Sequence, residues 1–537
     1  MGRADPAHAR TLPNPSMPTS PPPSEKPSKE AYLAQSGGDS LADRIGMMVG
    51  SQFLSAAIGL AQSLLIVRLL PKTEYGTLAL VNMLLSTGRD IGMLAMPDSI
   101  LFFVPKLREG QMIGLVRQSQ RLLFGLSCLV SAVLITLGFF PSLFLEGKPG
   151  LLALLMVASA SLFIGMPASI YANVFVATGR HRNAAGIGLF LTIVSASAAL
   201  IPAALGWPIF WILALQIGVA LLRLLLSEYL LRQLFQIKNQ EAFPGGPKEQ
   251  LRYVLPLAFT QIVGLFNQRA DKFIVGLFFG AAAFAEFSVS AQELPLVSIL
   301  PYSVASAMLP QLVATIDKGP TRLEGARDAV VLWHAGIRKV TLIMLPLATF
   351  LLLLAEPLMH LLYGAAYRGA AACFRVYTSL LPLRVTAYSI LLLAFGQTAL
   401  MLRAQLYGIV VNVVCIVVLL SSIGLLGAPL AAVLTQVFII SYLLSRVDKV
   451  AQLGIAKIFP WKYYFKVAAI SIISSVPLII AIVFLPAGTP PGLLIGAGAI
   501  VFLSLYLLLI NSFNVLAPED KAYLSRWLKL EPLRKPS

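Results

Sequence analysis

Long apolar runs alternate with short polar breaks from about residue 42 to about residue 511. An α-helix needs about 20 apolar residues to cross about 30 Å of hydrocarbon, so the runs predict about fourteen membrane-spanning helices. These spans lie at 48–70, 75–103, 119–140, 150–175, 184–205, 207–230, 253–278, 284–310, 329–355, 370–396, 403–424, 427–445, 466–486 and 491–511. The pattern indicates an all-α polytopic membrane protein, because a β-barrel would show short alternating strands.

The two ends of the chain depart from this pattern. Residues 1–40 are rich in Pro, Ser, Lys and Glu and contain almost no large apolar side chain. Such a segment cannot bury enough surface to offset its ordering entropy, and it lacks the apolar region of a signal peptide. We predict a disordered cytoplasmic tail there. At the other end, Leu524, Trp527 and Leu528 share one helical face, which predicts an amphipathic cytoplasmic tail over 513–537.

Composition and charge support a membrane protein and give its orientation. The chain is 57% hydrophobic and 12% charged, with a net charge of +17, whereas soluble domains carry about 25% charged residues. Lys and Arg concentrate in the even-numbered loops and the C-terminal tail, while the odd-numbered loops hold only Lys72, Lys148 and Arg368. Because cytoplasmic loops carry the excess of Lys and Arg, both termini are predicted to be cytoplasmic. The same bias explains the net charge without a nucleic-acid partner.

The sequence offers no recognisable catalytic or metal-binding pattern. No phosphate-binding P-loop, hydrolase elbow or HExxH zinc motif occurs, and the three cysteines lie far apart within apolar runs. The predicted loops are too short to hold a soluble catalytic domain. We therefore expect a transporter rather than an enzyme, with no cofactor and no bound metal.

A weak internal repeat predicts how the spans are grouped. Ile66–Leu70 resembles Ile274–Phe278, and Tyr75-Gly76 resembles Phe284-Ala285, at offsets of about 208 residues that enclose six spans. An even number of spans gives two copies of the same orientation, as in parallel-repeat transporters whose binding site lies between the lobes. The predicted units are an N-lobe at 41–245, a C-lobe at 246–450, and two further helices at 451–512.

Ionisable residues at membrane depth are the candidate functional residues, because each costs roughly 2.5–3.5 kcal/mol at a helix centre and normally lines a cavity or pairs internally. Four cations are candidate substrate-binding residues: Arg89, Arg269, Lys272 and Arg384. Candidates for cavity polarity or ion coupling are Asp90, Asp271, Glu293, Gln62, Gln268 and Asn82. An excess of cations over carboxylates suits an anion such as a phosphate, which Arg binds in a bidentate manner.

Each of these residues also has a structural interpretation. Arg89 with Asp90, and Arg269 with Asp271, can form internally neutralised pairs. Cations nearer the ends of spans, such as Arg223, can extend to the membrane surface without any functional role. Polar Ser and Gln residues within spans often serve only to pack helices together.

Residues along most of the chain, from about 42 to 530, resemble the Wzx-type oligosaccharide flippases of the MOP superfamily, which also contains MATE exporters and MurJ lipid II flippases. The similarity is carried by loose patterns in a matching order: Arg68-Leu-Leu-Pro-Lys-Thr-Glu-Tyr-Gly76, Asp90-Ile-Gly92 leading to Phe103-Val-Pro105, Thr178-Gly-Arg-His-Arg182, Tyr253-Val-Leu-Pro-Leu257, Asn267 to Lys272, and Leu345-Pro-Leu347 leading to Leu362-Tyr-Gly364-Ala-Ala-Tyr367. The Pro-rich N-terminal extension is not part of the usual family pattern.

The resemblance implies two six-helix lobes around a cationic cavity in the bacterial inner membrane. It implies that undecaprenyl-pyrophosphate-linked oligosaccharide moves from the cytoplasmic to the periplasmic leaflet by alternating access. Expected partners are this lipid-linked oligosaccharide, the lipid bilayer and possible polysaccharide polymerase or chain-length proteins, with a monomeric protein. Two alternatives are an ion-coupled MATE-like small-molecule exporter, which would use the carboxylates, and a non-transporting membrane scaffold of a polysaccharide assembly complex.

Overall fold

The computed structural model describes residues 41–140, 150–234, 241–292, 295–484, 486 and 489–515. All regular structure in these ranges is helical. The predicted tail at 1–40, most of the predicted tail at 513–537, and the candidate residue Glu293 lie outside the described residues.

Eight helices form the first half of the chain. They are α1 Leu41–Leu69, α2 Lys72–Gly92, α3 Met96–Phe103, α4 Glu109–Gly138, α5 Leu151–Ala168, α6 Tyr171–Ala177, α7 His181–Ala204 and α8 Ile209–Leu234. A hydrophobic core holds them together, with Leu80, Ile113 and Leu155 fully buried at its centre.

Nine helices form the second half, and four more follow. The nine are α9 Gly246–Phe278, α10 Ala281–Ser290, α11 Pro295–Lys318, α12 Arg322–Leu353, α13 Ala355–Tyr363, α14 Ala370–Thr378, α15 Ile390–Ala394, α16 Thr398–Ile423 and α17 Gly427–Ala451. The last four are α18 Ile455–Ile458, α19 Trp461–Ser474, α20 Val476–Phe484 and α21 Pro491–Ser512. A second core surrounds Trp333, and a small third core attaches the final helices through Val467 and Tyr506. The predicted all-α fold is thus confirmed over the described residues.

Nine helical segments in the described part of the chain are long and apolar enough to cross a membrane, and the longest, Thr398–Ala451, holds two helices. Each predicted span coincides with helix over most of its length. The count of fourteen spans stays a prediction, as do the residue boundaries of the lobes.

Several predicted spans are broken helices rather than continuous ones. Between α2 and α3 the backbone of Leu94 and Ala95 takes positive φ angles of 45° and 55°, and Pro97 then occupies the first turn of α3. Proline lacks a backbone N–H and therefore suits the first turn of a helix. Span ten is divided into α14, a 3₁₀ turn at Leu381–Arg384 that contains Pro382, and α15.

The predicted lobes contact each other through α2 and α10, the helices that contain the repeat pairs Tyr75-Gly76 and Phe284-Ala285. Helix α2 packs against α10 so closely that a Cβ atom on Gly76 would lie 1.9 Å from the carbonyl oxygen of Ala281. A Cβ atom on Gly276, near the end of α9, would lie 3.0 Å from Cδ1 of Leu80 on α2, a less severe approach because a side chain can shift. Glycine is required at Gly76 because no side chain fits between the two backbones.

Helix α9 lies along both lobes. Its first turns contact the N-lobe, where Gln250 donates hydrogen bonds to Ser99 at 2.9 Å and Ser119 at 2.6 Å. Further along, Asn267 donates to the backbone oxygen of Gln405 on α16 at 3.0 Å. Pro256 lies inside the helix between Gln250 and Asn267, and Gln261 beyond it still donates to Asp98 of the N-lobe at 2.9 Å.

Candidate functional site

Two helices from different predicted lobes exchange polar contacts. Arg269 of α9 donates to the Asp90 carboxylate of α2 at 2.8 Å. It also donates to the hydroxyl groups of Thr87 at 2.7 Å and Ser86 at 3.2 Å. The alternative pairing of Arg269 with Asp271 is not formed, because Asp271 bonds elsewhere.

Arg89 lies beside the same carboxylate. Its Nε atom is 3.5 Å from Asp90 Oδ1, and 49% of its side chain is exposed. Asp90 therefore has two arginine neighbours, and the closer one is Arg269. One carboxylate cannot neutralise two guanidinium groups, so this cluster keeps a net positive charge.

Asp271 is buried and bonded on both carboxylate oxygens. The hydroxyl of Tyr377 on α14 donates to Oδ2, and the backbone N–H of Lys272 donates to Oδ1 at 2.7 Å. This carboxylate therefore joins α9 to α14 within the C-lobe, and its side chain is only marginally accessible.

A cavity of about 800 Å³ lies against α9 on the C-lobe side. Its polar and charged lining comes from α9, α10, α14 to α17 and the segments between them: Asn267, Gln268, Arg269, Asp271, Lys272, Ser290, Gln292, Tyr377, Thr378, Arg384, Thr386, Tyr388, Ser389, Gln405, Asn412, Thr435 and Gln436. Among these residues three cations stand against one carboxylate, and the Tyr377 contact already occupies that carboxylate. The cavity therefore favours an anionic solute at a depth where charge is costly.

The predicted candidates divide into two groups by position. Arg269, Lys272, Arg384, Asp271 and Gln268 all line the cavity. Arg384 is the last residue of a 3₁₀ turn, whereas its predicted span implied a position in the middle of a continuous helix. It nevertheless lines the cavity together with Tyr377 and Tyr388.

The remaining candidates lie on the N-lobe. Arg89 and Asp90 are not among the described lining residues, and Asp90 is joined to the cavity only through its contact with Arg269. Gln62 of α1 and Asn82 of α2 are not among the described residues that line it.

Several lining residues were not candidates from the sequence. Gln405, Asn412, Thr435 and Gln436 lie on α16 and α17, within mostly apolar stretches of those helices. Gln405 and Asn412 are two helical turns apart and so share a face. In the sequence, the recurrence of a polar residue at that spacing within an apolar stretch could have marked Gln405 and Asn412 as lining residues.

The lobes also close on each other at the end where α1 passes into α2, through a set of contacts that we call the outer seal: Arg68, Lys72, Tyr75, Glu286, Leu361, Leu362, Ala366 and Tyr367. Lys72 of the N-lobe forms an ion pair with Glu286 of α10 and donates to the carbonyl of Ala366 at 3.1 Å. Arg68 donates to the carbonyls of Leu361 and Leu362, the latter at 2.9 Å.

An aromatic contact completes the outer seal. The rings of Tyr75 and Tyr367 meet edge to face, with centroids 6.3 Å apart. Burial raises the pKa of the Tyr367 hydroxyl, which lies between spans nine and ten, so this group stays neutral at ordinary pH. On the predicted topology the outer seal is at the periplasmic side.

The structure offers no cluster of three or more His, Cys, Asp or Glu side chains suited to a metal ion among the residues it describes. The sequence matches the model of a polysaccharide biosynthesis protein family over residues 65–372, which is more than half of the chain. The chain belongs to this polysaccharide biosynthesis protein family. Comparison with curated proteins found no match by sequence.

The fold of this family member resembles two solved transporters. The first is lipid II flippase MurJ in an inward closed conformation, with a TM-score of 0.66 and 16% identity over 87% of this chain and 99% of that one. The second is a multidrug resistance MATE family transporter of the MOP superfamily in an inward-facing conformation, with a TM-score of 0.53 and 14% identity over 74% of this chain and 96% of that one. At such identities the likeness concerns the fold alone, whereas the family match confirms the predicted resemblance to proteins of polysaccharide biosynthesis.

Proposed function

We propose that the protein is a flippase that moves undecaprenyl-pyrophosphate-linked oligosaccharide from the cytoplasmic to the periplasmic leaflet of the bacterial inner membrane. The observation that carries this proposal is the cationic cavity, where Arg269, Lys272 and Arg384 face a common space at membrane depth. Arginine binds phosphoryl oxygens in a bidentate manner and lysine binds them as a point charge, so the three suit a diphosphate.

The size and lining of the cavity suit the polar part of such a substrate. Its volume of about 800 Å³ is near the upper end of the range of about 300–1,000 Å³ for small-molecule sites. Amide and hydroxyl groups such as those of Gln405, Asn412 and Thr435 offer hydrogen bonds to sugar hydroxyls. The prenyl chain would stay in the lipid while the head crosses.

The outer seal supports transport by alternating access. With Lys72 bound to Glu286 and Arg68 bound to the α13 carbonyls, the lobes are closed at the predicted periplasmic side. Substrate would therefore enter from the cytoplasmic side. Release would require the outer seal to open as one lobe rocks against the other.

The carboxylates disfavour the alternative of a cation-coupled exporter. Asp90 is bonded to Arg269 and Asp271 to Tyr377, so neither offers a free carboxylate in this conformation. We further propose a monomeric protein that works beside polysaccharide polymerase or chain-length proteins, with both termini in the cytoplasm.

Gene deletion and complementation test the proposal. Wild-type protein should restore surface polysaccharide, whereas Arg269→Ala, Lys272→Ala and Arg384→Ala should reduce it at least tenfold while lipid-linked oligosaccharide accumulates inside. Arg403→Ala removes an exposed arginine of α16 that does not line the cavity, and it should complement fully. Normal polysaccharide with all three cavity variants would show that the cationic cavity does not carry the substrate, and would favour the scaffold.

A further inference from the structure

Arg223 is an intramembrane arginine to which the central cavity gives no role. It lies near the middle of α8, between apolar residues. Among the described residues, no carboxylate lies within ion-pair distance of Arg223, and its guanidinium makes no hydrogen bond. A cation in this position is costly unless it meets an anion or water.

Arg223 borders a second cavity, of about 230 Å³, within the N-lobe. This N-lobe cavity lies between α6, α7 and α8 and is lined by Ala168, Ser169, Ala172, Phe175, Ala184, Ile187, Gly188, Leu191, Arg223 and Ser227. Its volume far exceeds the roughly 30 Å³ that one water occupies in the liquid. Arg223 is the single charged residue among the described lining residues, so the cavity is positive.

Ser227 offers a second polar group one turn along α8 from Arg223. Its side chain is buried, and no hydrogen bond of its hydroxyl is found among the described residues. An Arg and a Ser spaced by four residues lie on one helix face and can both donate to the same phosphoryl group.

The N-lobe cavity adjoins the cluster around Asp90. The hydroxyl of Ser169 lies 3.9 Å from the sulfur of Met93, which directly follows α2 and is four residues beyond Arg89. Arg89 is also close enough to Arg223 for their charges to interact. Two neighbouring cations repel each other, so an anion that bound between them would stabilise the pair.

We propose that Arg223 and Ser227 form a second phosphoryl-binding site, which takes the diphosphate group of the lipid-linked substrate before it reaches the central cavity. This inference rests on the proposed function. On the predicted topology α2 runs toward the cytoplasm, so a site beside Met93 lies on the cytoplasmic side of Arg89 and Arg269. A diphosphate arriving from the cytoplasmic leaflet meets Arg223 first, then Arg89, and then Arg269.

A pair of glycines on α7 allows the N-lobe cavity to be filled without touching a charge. A Cβ atom on Gly188, which lines the cavity, would meet nothing within 4 Å, so a leucine there occupies the cavity itself. Gly186 on the same helix also has open space around it and is not among the lining residues. Gly186→Leu is therefore a matched control for Gly188→Leu.

The test measures how much farnesyl diphosphate binds to the full-length protein in phosphatidylcholine nanodiscs. Wild-type protein should bind two equivalents, and the double variant Arg269→Ala/Arg384→Ala should keep one. Adding Arg223→Gln or Gly188→Leu to that double variant should weaken the remaining binding at least tenfold, whereas adding Gly186→Leu should not. Inorganic pyrophosphate should compete with farnesyl diphosphate for the site at Arg223 and Ser227.

Three results would overturn the inference. One is that farnesyl diphosphate still binds to the double variant Arg269→Ala/Arg384→Ala after Arg223→Gln or Gly188→Leu has been added to it. Another is the absence of a second equivalent in a wild-type protein that transports its substrate. The third is displacement of the bound diphosphate by phosphatidylglycerol in the nanodisc, which would identify a site for ordinary lipid phosphate. If the protein does not transport the lipid-linked oligosaccharide but Gly188→Leu still weakens the second equivalent of bound farnesyl diphosphate, the proposed function fails and the site itself stands.

Discussion

Arg269 on α9 binds Asp90 on α2 at 2.8 Å, which joins the two lobes through a charged contact at membrane depth. The 179 residues between them place the partners in different predicted lobes. A phosphoryl group that enters the cavity must compete with Asp90 for the same guanidinium. The contact therefore sets how readily Arg269 becomes available to the substrate.

Removing the charge of Asp90 should strengthen anion binding. In Asp90→Asn the guanidinium of Arg269 loses its carboxylate partner, and we expect farnesyl diphosphate to bind about three- to tenfold more tightly to the purified protein. Glu324→Gln, which neutralises an exposed carboxylate in the first turn of α12, should leave the affinity unchanged. Unchanged or weaker binding in Asp90→Asn would mean that Asp90 does not restrain Arg269.

Breaking the outer seal should expose a natural cysteine. Cys373 is buried near the predicted periplasmic end of span ten, close enough to Glu286 for the two groups to interact. In a Cys128→Ser/Cys415→Ser background, Lys72→Ala should raise the rate at which a membrane-impermeant maleimide labels Cys373 by at least fivefold. Lys449→Ala, at the other end of the C-lobe, serves as the control. Equal rates in both variants would show that Lys72 does not hold the lobes closed.

A side chain at Gly76 should force the two lobes apart. Because a Cβ atom there would lie 1.9 Å from the Ala281 oxygen, Gly76→Val should lower the free energy of unfolding by about 1–3 kcal/mol and speed the labelling of Cys373. Gly59→Val on α1 has open space around it and should change neither quantity. Thermal denaturation in detergent measures the first effect. A Gly76→Val protein as stable and as slowly labelled as wild type contradicts the tight packing of α2 on α10.

A polar network within the N-lobe should contribute to stability rather than to transport. Glu228 accepts from Arg117 at 2.9 Å and from Tyr171 at 2.5 Å, and it also pairs with Arg232 at 3.0 Å. Glu228→Gln leaves Arg117 without a carboxylate, so we expect a loss of about 1–3 kcal/mol in the free energy of unfolding. Tyr171→Phe removes two hydrogen bonds, the one donated to Glu228 and the one accepted from Gln120, and should cost about 1–2 kcal/mol. Transport per folded molecule should stay within twofold of wild type in both.

The helices and their general positions follow from the sequence because membrane-spanning helices must be apolar over a fixed length. The breaks within them do not. Positive φ angles at Leu94 and Ala95 are unusual for non-glycine residues, and they arise from packing that local sequence does not encode. Pro382 gave a partial signal for the 3₁₀ turn that carries Arg384.

The candidate site was predictable where charge marked it and less so elsewhere. Arg269, Lys272 and Arg384 stand out because cations are rare in apolar helices. The partnership of Arg269 with Asp90 was not deducible, because Asp271 is much nearer in sequence and the true partner depends on how two lobes are placed. The outer seal shows the same limit, since Lys72 and Glu286 are 214 residues apart.

Pro256 gives α9 a specific mechanical role. Gln250, before the proline, is bonded to Ser99 and Ser119, while Asn267, well after it, is bonded to α16. A proline inside a helix removes one backbone hydrogen bond, so bending costs less there than elsewhere. When the lobes separate, α9 can bend at this point. The contacts of Gln261 with Asp98 and of Arg269 with Asp90 must then break before the later segment can move with the C-lobe. Two of the cavity cations, Arg269 and Lys272, thus lie on the part of α9 beyond this bend.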